Sequence, residues 1–120
     1  MSTKHKAKAL IIHCIDFRFQ KQIEDDLKAR NLEDQFDRIS WPGVSKDLIN
    51  VSKSAEISII LHDPDEAIIY EHEDCGAYGD DNSLETHRKN ANALKDCLEK
   101  IKPLIKVNTL FVTLDGIKEI

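Results

Sequence analysis

Short apolar runs alternate along this chain with charged segments of helical periodicity. Residues 7–14 are apolar almost without interruption, as in a strand that is covered on both faces of a parallel sheet. Later runs predict three more strands, at Phe36–Trp41, Glu66–His72 and Thr109–Leu114. The dipeptide at residues 115–116, Asp-Gly, predicts a hairpin turn into a short fifth strand.

The charged segments between these strands carry apolar residues three or four apart, which is the pattern of amphipathic helices. We expect the first helix to extend from about Phe19 to Asn31 and the second to end before Pro64, because a proline disfavours helical geometry in the residue before it. The third helix should begin at a cap formed by Asn82 and end near Pro103.

The start of the second helix is predicted from one short segment. Ser45 is expected to be its N-cap, since a serine hydroxyl can accept a hydrogen bond from a free N–H group of the first turn. Val44 is expected to pack on Ile49 as a hydrophobic staple.

Strands that alternate with helices predict an α/β fold. We expect a mostly parallel sheet of four strands in the order 2-1-3-4, with a short fifth strand and with flanking helices, in a single domain of residues 1–120. In such sheets ligands bind beyond the carboxyl ends of the strands, where the strand order reverses. That point lies between the first and third strands, which end near Cys14 and His72.

Composition narrows the classes of function. The net charge is −5 and basic residues are scattered, apart from Lys4, Lys6 and Lys8 in a solvated N-terminal tail, so nucleic-acid binding is not expected. Apolar runs are far shorter than the roughly 20 residues that span a bilayer, and the N-terminus has no secretory cleavage pattern, which predicts a cytoplasmic protein with no membrane contact. Three cysteines favour reduced thiols, which can bind a metal.

Two distant segments carry residues suited to zinc. Cys14 follows the first strand, whereas His72 and Cys75 stand three apart at the end of the third and are followed by Gly76. Two thiolates and one imidazole suit zinc, whose catalytic sites have three protein ligands and an open fourth position. The parallel fold would bring these two segments together, so both segments together indicate a zinc site more specifically than either one alone.

These motifs, CIDFR at residues 14–18 and HEDCG at residues 72–76, resemble the C-x-D-x-R and H-x-x-C-G motifs of the β-class carbonic anhydrases. The resemblance implies a Zn²⁺ site formed by Cys14, His72 and Cys75, with Asp16 and Arg18 as a paired dyad. It also implies reversible hydration of carbon dioxide to bicarbonate by a zinc-bound hydroxide that Asp16 orients, and a homodimer or higher homo-oligomer.

The chain also departs from that family. SWPG at residues 40–43 stands where the family has an Arg-Asn-Ala-Gly stretch, so the polar groups near the pocket differ. The family's N-terminal helical arm, which packs on a partner subunit, has no counterpart before the first strand. Gly76 and Tyr78 are candidate pocket residues, although Tyr78 could equally cover the loop.

Other functions fit some of the same residues. The same zinc chemistry could act on carbonyl sulfide or carbon disulfide, or the chain could be a zinc-binding module without turnover. A redox pair is disfavoured because there is no C-x-x-C motif, and a cysteine phosphatase because Gln20 stands where its arginine would fall.

The remaining polar and aromatic residues have plainer interpretations. Glu73 and Asp74 are expected to be solvated loop charges, Cys97 to lie in the core, and Trp41 to serve packing. No catalytic role is expected for the other histidines, which are His5, His13, His62 and His87.

Overall fold

The computed structural model describes residues 5–120, so Lys4 of the predicted tail lies outside the described residues. The strands are Ala9–His13 (β1), Phe36–Ser40 (β2), Glu66–His72 (β3), Lys106–Thr113 (β4) and Gly116–Glu119 (β5). The α-helices are Gln20–Ala29 (α1), Leu48–His62 (α2) and Leu84–Ile101 (α3). Single 3₁₀ turns occupy Phe17–Phe19, Val44–Lys46 and Gly76–Tyr78.

The five strands form one sheet in the order β2-β1-β3-β4-β5. The first four are parallel, and β5 pairs antiparallel with β4 through the predicted hairpin. The predicted α/β fold, strand order and fifth strand are confirmed. Because His13 at the end of β1 pairs with Tyr70, β3 continues two residues further, to His72.

The sheet is buried on both faces, which explains the continuous apolar run of β1. Leu10 and Ile12 face α2 and α3, whereas Ala9 and Ile11 face α1, and all four side chains are fully buried. Burying a leucine or isoleucine side chain contributes about 1.5–3 kcal/mol. Because helices cover both faces of the sheet, a ligand can reach it only at the ends of the strands. No helix within residues 5–120 combines the length and apolar character needed to cross a membrane.

The structure corrects the predicted start of α2. The N-cap is Asp47, whose side chain accepts a hydrogen bond from the backbone N–H of Asn50, and not Ser45. Ser45 lies earlier, in the Val44–Lys46 turn, where its buried hydroxyl donates to a carboxylate. The predicted staple is also wrong, because Ile49 is 67% exposed.

The start of α3 is shifted by one residue. Ser83 is the N-cap and accepts from the N–H of Thr86. The side-chain oxygen of Asn82 instead accepts a hydrogen bond from the backbone N–H of Cys75. Asn82 therefore holds the loop that carries Cys75.

Candidate metal centre

The three predicted metal ligands meet at the carboxyl end of the sheet. Cys14 directly follows β1, His72 is the last residue of β3, and Cys75 precedes the turn at Gly76–Tyr78. Since β1 and β3 are neighbours, these segments come together although they are far apart in the chain. The two sulfur atoms and the nearest imidazole nitrogen all lie within 4.8 Å of one another, and all three residues are buried.

The spacing of the sulfur atoms fits a shared metal ion. Cys14 Sγ and Cys75 Sγ are 4.0 Å apart. Two sulfur atoms that each lie about 2.3 Å from one zinc ion can be separated by at most about 4.6 Å. The observed spacing lies below that limit and is twice as long as a disulfide bond of about 2 Å.

The ring of His72 is oriented for metal binding. Its Nδ1 lies 2.7 Å from the carbonyl oxygen of Glu73, so Nδ1 carries the proton and donates it. Nε2 then presents a lone pair to the cluster, and among residues 5–120 it is buried without a hydrogen-bond partner. The ring also packs on Phe19, with the centroids 4.7 Å apart. An orphaned ring nitrogen that faces two thiols is an observation that a metal ion would explain.

Hydrogen bonding between the two thiols favours negative charge on Cys14. The sulfur atoms lie 4.0 Å apart, and their interaction lowers the pKa of Cys14 well below its usual range while it raises the pKa of Cys75. The pair thus favours one thiolate, which is the form of cysteine that binds a metal.

Asp16 and Arg18 form the predicted pair beside the cluster. Arg18 Nη2 lies 2.7 Å from Asp16 Oδ2, and its Nε and backbone N–H donate to Asp16 Oδ1 at 3.1 and 3.0 Å. These hydrogen bonds lower the pKa of Asp16 to about 2. Asp16 Oδ2 is also 4.0 Å from Nε2 of His72, so an ionised carboxylate borders the three candidate ligands.

Arg18 is held from a second side by the loop between the ligands. Its Nη1 lies 3.1 Å from Asp74 Oδ2, and its Nη2 donates to the backbone carbonyl of Asp74 at 2.8 Å. Glu73 is also engaged, because its carboxylate accepts from the backbone N–H of Leu114 at 2.6 Å. Asp74 is 80% exposed and Glu73 is half-buried, so both are loop charges in contact with solvent, and each also has a protein partner.

A cavity of about 540 Å³ borders the cluster. Both cysteines and the Asp16–Arg18 pair contribute to its walls, as does Gly76. Tyr78 is not among the lining residues. Its side chain is buried, and its hydroxyl donates to Glu71.

Several polar contacts of the structure were not predicted from the sequence. Glu71 and His87 are both 1% exposed and paired, with 2.7 Å between His87 Nδ1 and Glu71 Oε1. A glutamate between two buried residues of a strand was the available signal for this pair. His62 has an acidic partner in Asp37, and Cys97 is half-buried, not in the core.

Comparisons with known proteins agree with this geometry. Residues 4–119 match the profile of a family described as "Putative carbonic anhydrase". The chain is 32% identical, over an alignment of 138 positions, to an uncharacterized protein of Rickettsia bellii, covering 99% of this chain and 84% of that protein. It is 31% identical to an uncharacterized protein of Rickettsia conorii, covering 99% of this chain and 74% of the other.

Solved structures show the same fold. A carbonic anhydrase from Glaciozyma antarctica superposes with a TM-score of 0.61 at 15% identity, covering 98% of this chain and 84% of that one. The β-carbonic anhydrase CafA of Aspergillus fumigatus superposes with a TM-score of 0.56 at 13% identity, covering 97% and 76% of the two chains.

Proposed function

The chain belongs to the family described as putative carbonic anhydrases, and from that premise we propose that it is a zinc-dependent carbonic anhydrase. The reaction converts carbon dioxide and water reversibly into bicarbonate and a proton. The observation that supports this most strongly is the buried cluster of Cys14, His72 and Cys75 next to the ionised Asp16.

The donor set fits zinc as the resident metal. Two thiolates and one imidazole are soft and borderline ligands, and three protein ligands leave a fourth position for solvent. Cys14 Sγ, Cys75 Sγ and His72 Nε2 would hold the ion. Zinc held there would lower the pKa of a coordinated water and so would supply hydroxide closer to neutral pH.

The chain's own residues have distinct tasks in this proposal. Asp16, with a pKa of about 2, is ionised at neutral pH and can only accept hydrogen bonds. Its carboxylate can therefore orient the O–H group of the attacking nucleophile, while Arg18 keeps it in place through four hydrogen bonds to its two oxygens. One C–O bond forms, and one proton leaves the water molecule for the solvent.

The cavity walls suit a small apolar substrate. Besides the polar dyad they include Ile15, Phe17, Pro42 and Ala77, which offer no charge. Carbon dioxide has no net charge and no dipole, so an apolar wall next to a polar reacting centre favours its approach. Bicarbonate is an anion, and Arg18 lies at the same wall.

Stopped-flow measurement of carbon dioxide hydration by zinc-loaded protein tests the proposal. We expect a rate above that of buffer, and we expect Asp16→Ala to keep its zinc but lose roughly 100-fold in kcat/KM. Asp25→Ala, which removes an exposed carboxylate paired with Lys21 on α1, is the matched control and should behave like the wild type. A fully zinc-loaded protein that is no faster than buffer would end the enzymatic claim.

A further inference from the structure

Glu71 is a buried carboxylate that the proposed reaction does not use. It precedes His72 in β3, and because strand side chains alternate, it faces the α2 and α3 side of the sheet. The residue is 1% exposed. A buried carboxylate is strongly unfavourable unless hydrogen-bond donors surround it, so its partners indicate what it is there to hold.

Three donors from three separate elements reach this carboxylate. Ser45 in the Val44–Lys46 turn donates to Oε2 at 2.5 Å. Tyr78 in the Gly76–Tyr78 turn donates to Oε1 at 2.9 Å. His87 on α3 donates to Oε1 through Nδ1 at 2.7 Å, and its ring stacks on the Tyr78 ring with the centroids 3.9 Å apart. The carboxylate therefore joins both turns to α3.

Both turns are also bonded to the backbone next to the two cysteines. The N–H group of Trp41, which leads into the first turn, donates at 2.9 Å to the carbonyl of His13, the residue before Cys14, and the N–H group of Val44 donates to the Trp41 carbonyl at 3.1 Å. In the second turn, the N–H group of Tyr78 donates to the Cys75 carbonyl at 3.0 Å.

The two turns also lie against each other. A Cβ atom placed on Gly43 would lie 3.0 Å from the Cβ of Ala77. Lys46 Nζ donates to the Ala77 carbonyl at 2.7 Å. A shift of either turn would therefore disturb the backbone that carries Cys14 and Cys75.

We propose that Glu71 is a positioning residue of the metal centre, which ties together the two turns that hold the backbone next to Cys14 and Cys75. This inference rests on the metal site of the proposed function but not on its reaction. Glu71 acts through Ser45 and Tyr78 and does not touch the metal or the substrate. His87 completes the arrangement from α3 by fixing Oε1.

Two conservative variants, each with a matched control, test this role. Ser45→Ala and Tyr78→Phe each remove one donor to Glu71. Ser58→Ala removes a similar hydrogen bond to Asp37, and Tyr70→Phe removes one to Asp26, at positions that contact neither turn through these groups. The controls lose the same type of hydrogen bond and so account for a general loss of stability.

Zinc affinity, measured by competition with a chelator, is the first readout. We expect the zinc dissociation constant to rise roughly 10- to 100-fold in Ser45→Ala and Tyr78→Phe, which is typical when a residue that supports metal ligands is removed. The two controls should stay within about 2-fold of the wild type on the same scale. Equal affinities in all four variants would overturn the proposal.

Hydrogen exchange of the metal-free protein is the second readout, and it detects the link between the turns. Ser45→Ala should accelerate amide exchange at residues 77–79, and Tyr78→Phe should accelerate exchange at residues 44–47, because each variant loosens the shared carboxylate. Acceleration confined to the turn that carries the substitution would contradict the link.

A further variant and the hydration assay separate this inference from the proposed function. Glu71→Gln keeps the size of the side chain and should weaken zinc binding like Ser45→Ala. If it fails to fold, the serine and tyrosine variants decide the matter. Zinc binding without carbon dioxide hydration would end the proposed function and leave this inference intact, whereas a wild-type chain that binds no zinc would overturn both.

Discussion

At the scale of single residues, the site depends on how neighbouring groups stabilise one charge. Asp16 is ionised because Arg18 donates to both of its oxygens, and Arg18 is in turn fixed by the side chain and the carbonyl of Asp74. An exposed ion pair contributes little by itself. Asp16 is only 15% exposed and accepts several hydrogen bonds, so its charge is well defined.

This arrangement predicts the titration of Asp16. The pKa is lowered from 3.8 to about 2, so the pairing contributes its full stability above about pH 4 and loses it as the pH falls through 2. Arg18→Ala should raise the pKa of Asp16 towards about 3.9, since the hydrogen bonds from the guanidinium are lost and only the backbone N–H of residue 18 still donates. Carbon-13 NMR titration of the carboxyl group measures both values.

A control on α3 makes this titration specific. Arg88 is exposed, and Arg88→Ala should leave the pKa of Asp16 unchanged. A wild-type pKa near 4, or equal values in the wild type and Arg18→Ala, would show that Arg18 does not stabilise the carboxylate.

The candidate metal ligands could be predicted from the sequence, because their residue types and spacing already indicate metal binding. Cys14, His72 and Cys75 have few common roles at such spacing, so their meeting could be expected before the structure. The role of Glu71 could not, because it depends on Ser45 and His87, which lie far away in the chain and have no distinctive pattern of their own.

At the scale of elements, side chains of the central strands are buried, whereas those on the outer faces of the helices are exposed. Ile69 on β3 is fully buried between the sheet and the helices, whereas Ile57 on α2 is 58% exposed. The two positions carry the same side chain in different surroundings, which makes them a matched pair.

Urea unfolding of two alanine variants tests this difference. Ile69→Ala should lower the free energy of unfolding by about 2–5 kcal/mol, because it leaves a cavity in the core. Ile57→Ala should change it by less than about 0.5 kcal/mol, as is usual at the surface. Similar losses in both variants would contradict the assigned burial.

Strand order was predictable from the sequence, whereas the starts of α2 and α3 were not. The apolar run of β1 and the alternation of strands with helices leave few arrangements for a parallel sheet. Ser45 and Asp47 are both good N-cap residues. Asp47 takes this position because the Ser45 hydroxyl donates its hydrogen bond to Glu71. Asn82 and Ser83 differ in the same way, since the backbone of Cys75 engages Asn82.

At the scale of the whole molecule, the ligands join segments that only the folded sheet brings together. Cys14 follows β1, whereas Cys75 follows β3, so the site exists only in the folded state. Metal binding energy then adds directly to the stability of the fold. Thermal unfolding should therefore depend on zinc.

Zinc binding should raise the free energy of unfolding by an amount set by the zinc concentration and the dissociation constant. Zinc at 100 times its dissociation constant should add about 2.7 kcal/mol, or roughly 10 °C in Tm for a chain of this size. At the same zinc concentration, Cys75→Ser should lose most of this increase, because one of its three protein ligands is gone. Cys97→Ser, which alters a half-buried thiol of α3 outside the cluster, should retain it. An equal increase in both variants would place the metal elsewhere.

X-ray absorption at the zinc edge tests the central claim most directly, because it reads the ligands of the bound ion. For protein loaded with one zinc ion, we predict two sulfur atoms at about 2.3 Å and nitrogen or oxygen ligands at about 2.0–2.1 Å, with one sulfur lost in Cys75→Ser. A spectrum with no sulfur, or one that Cys75→Ser leaves unchanged, would contradict the assignment of Cys14, His72 and Cys75 as the zinc ligands.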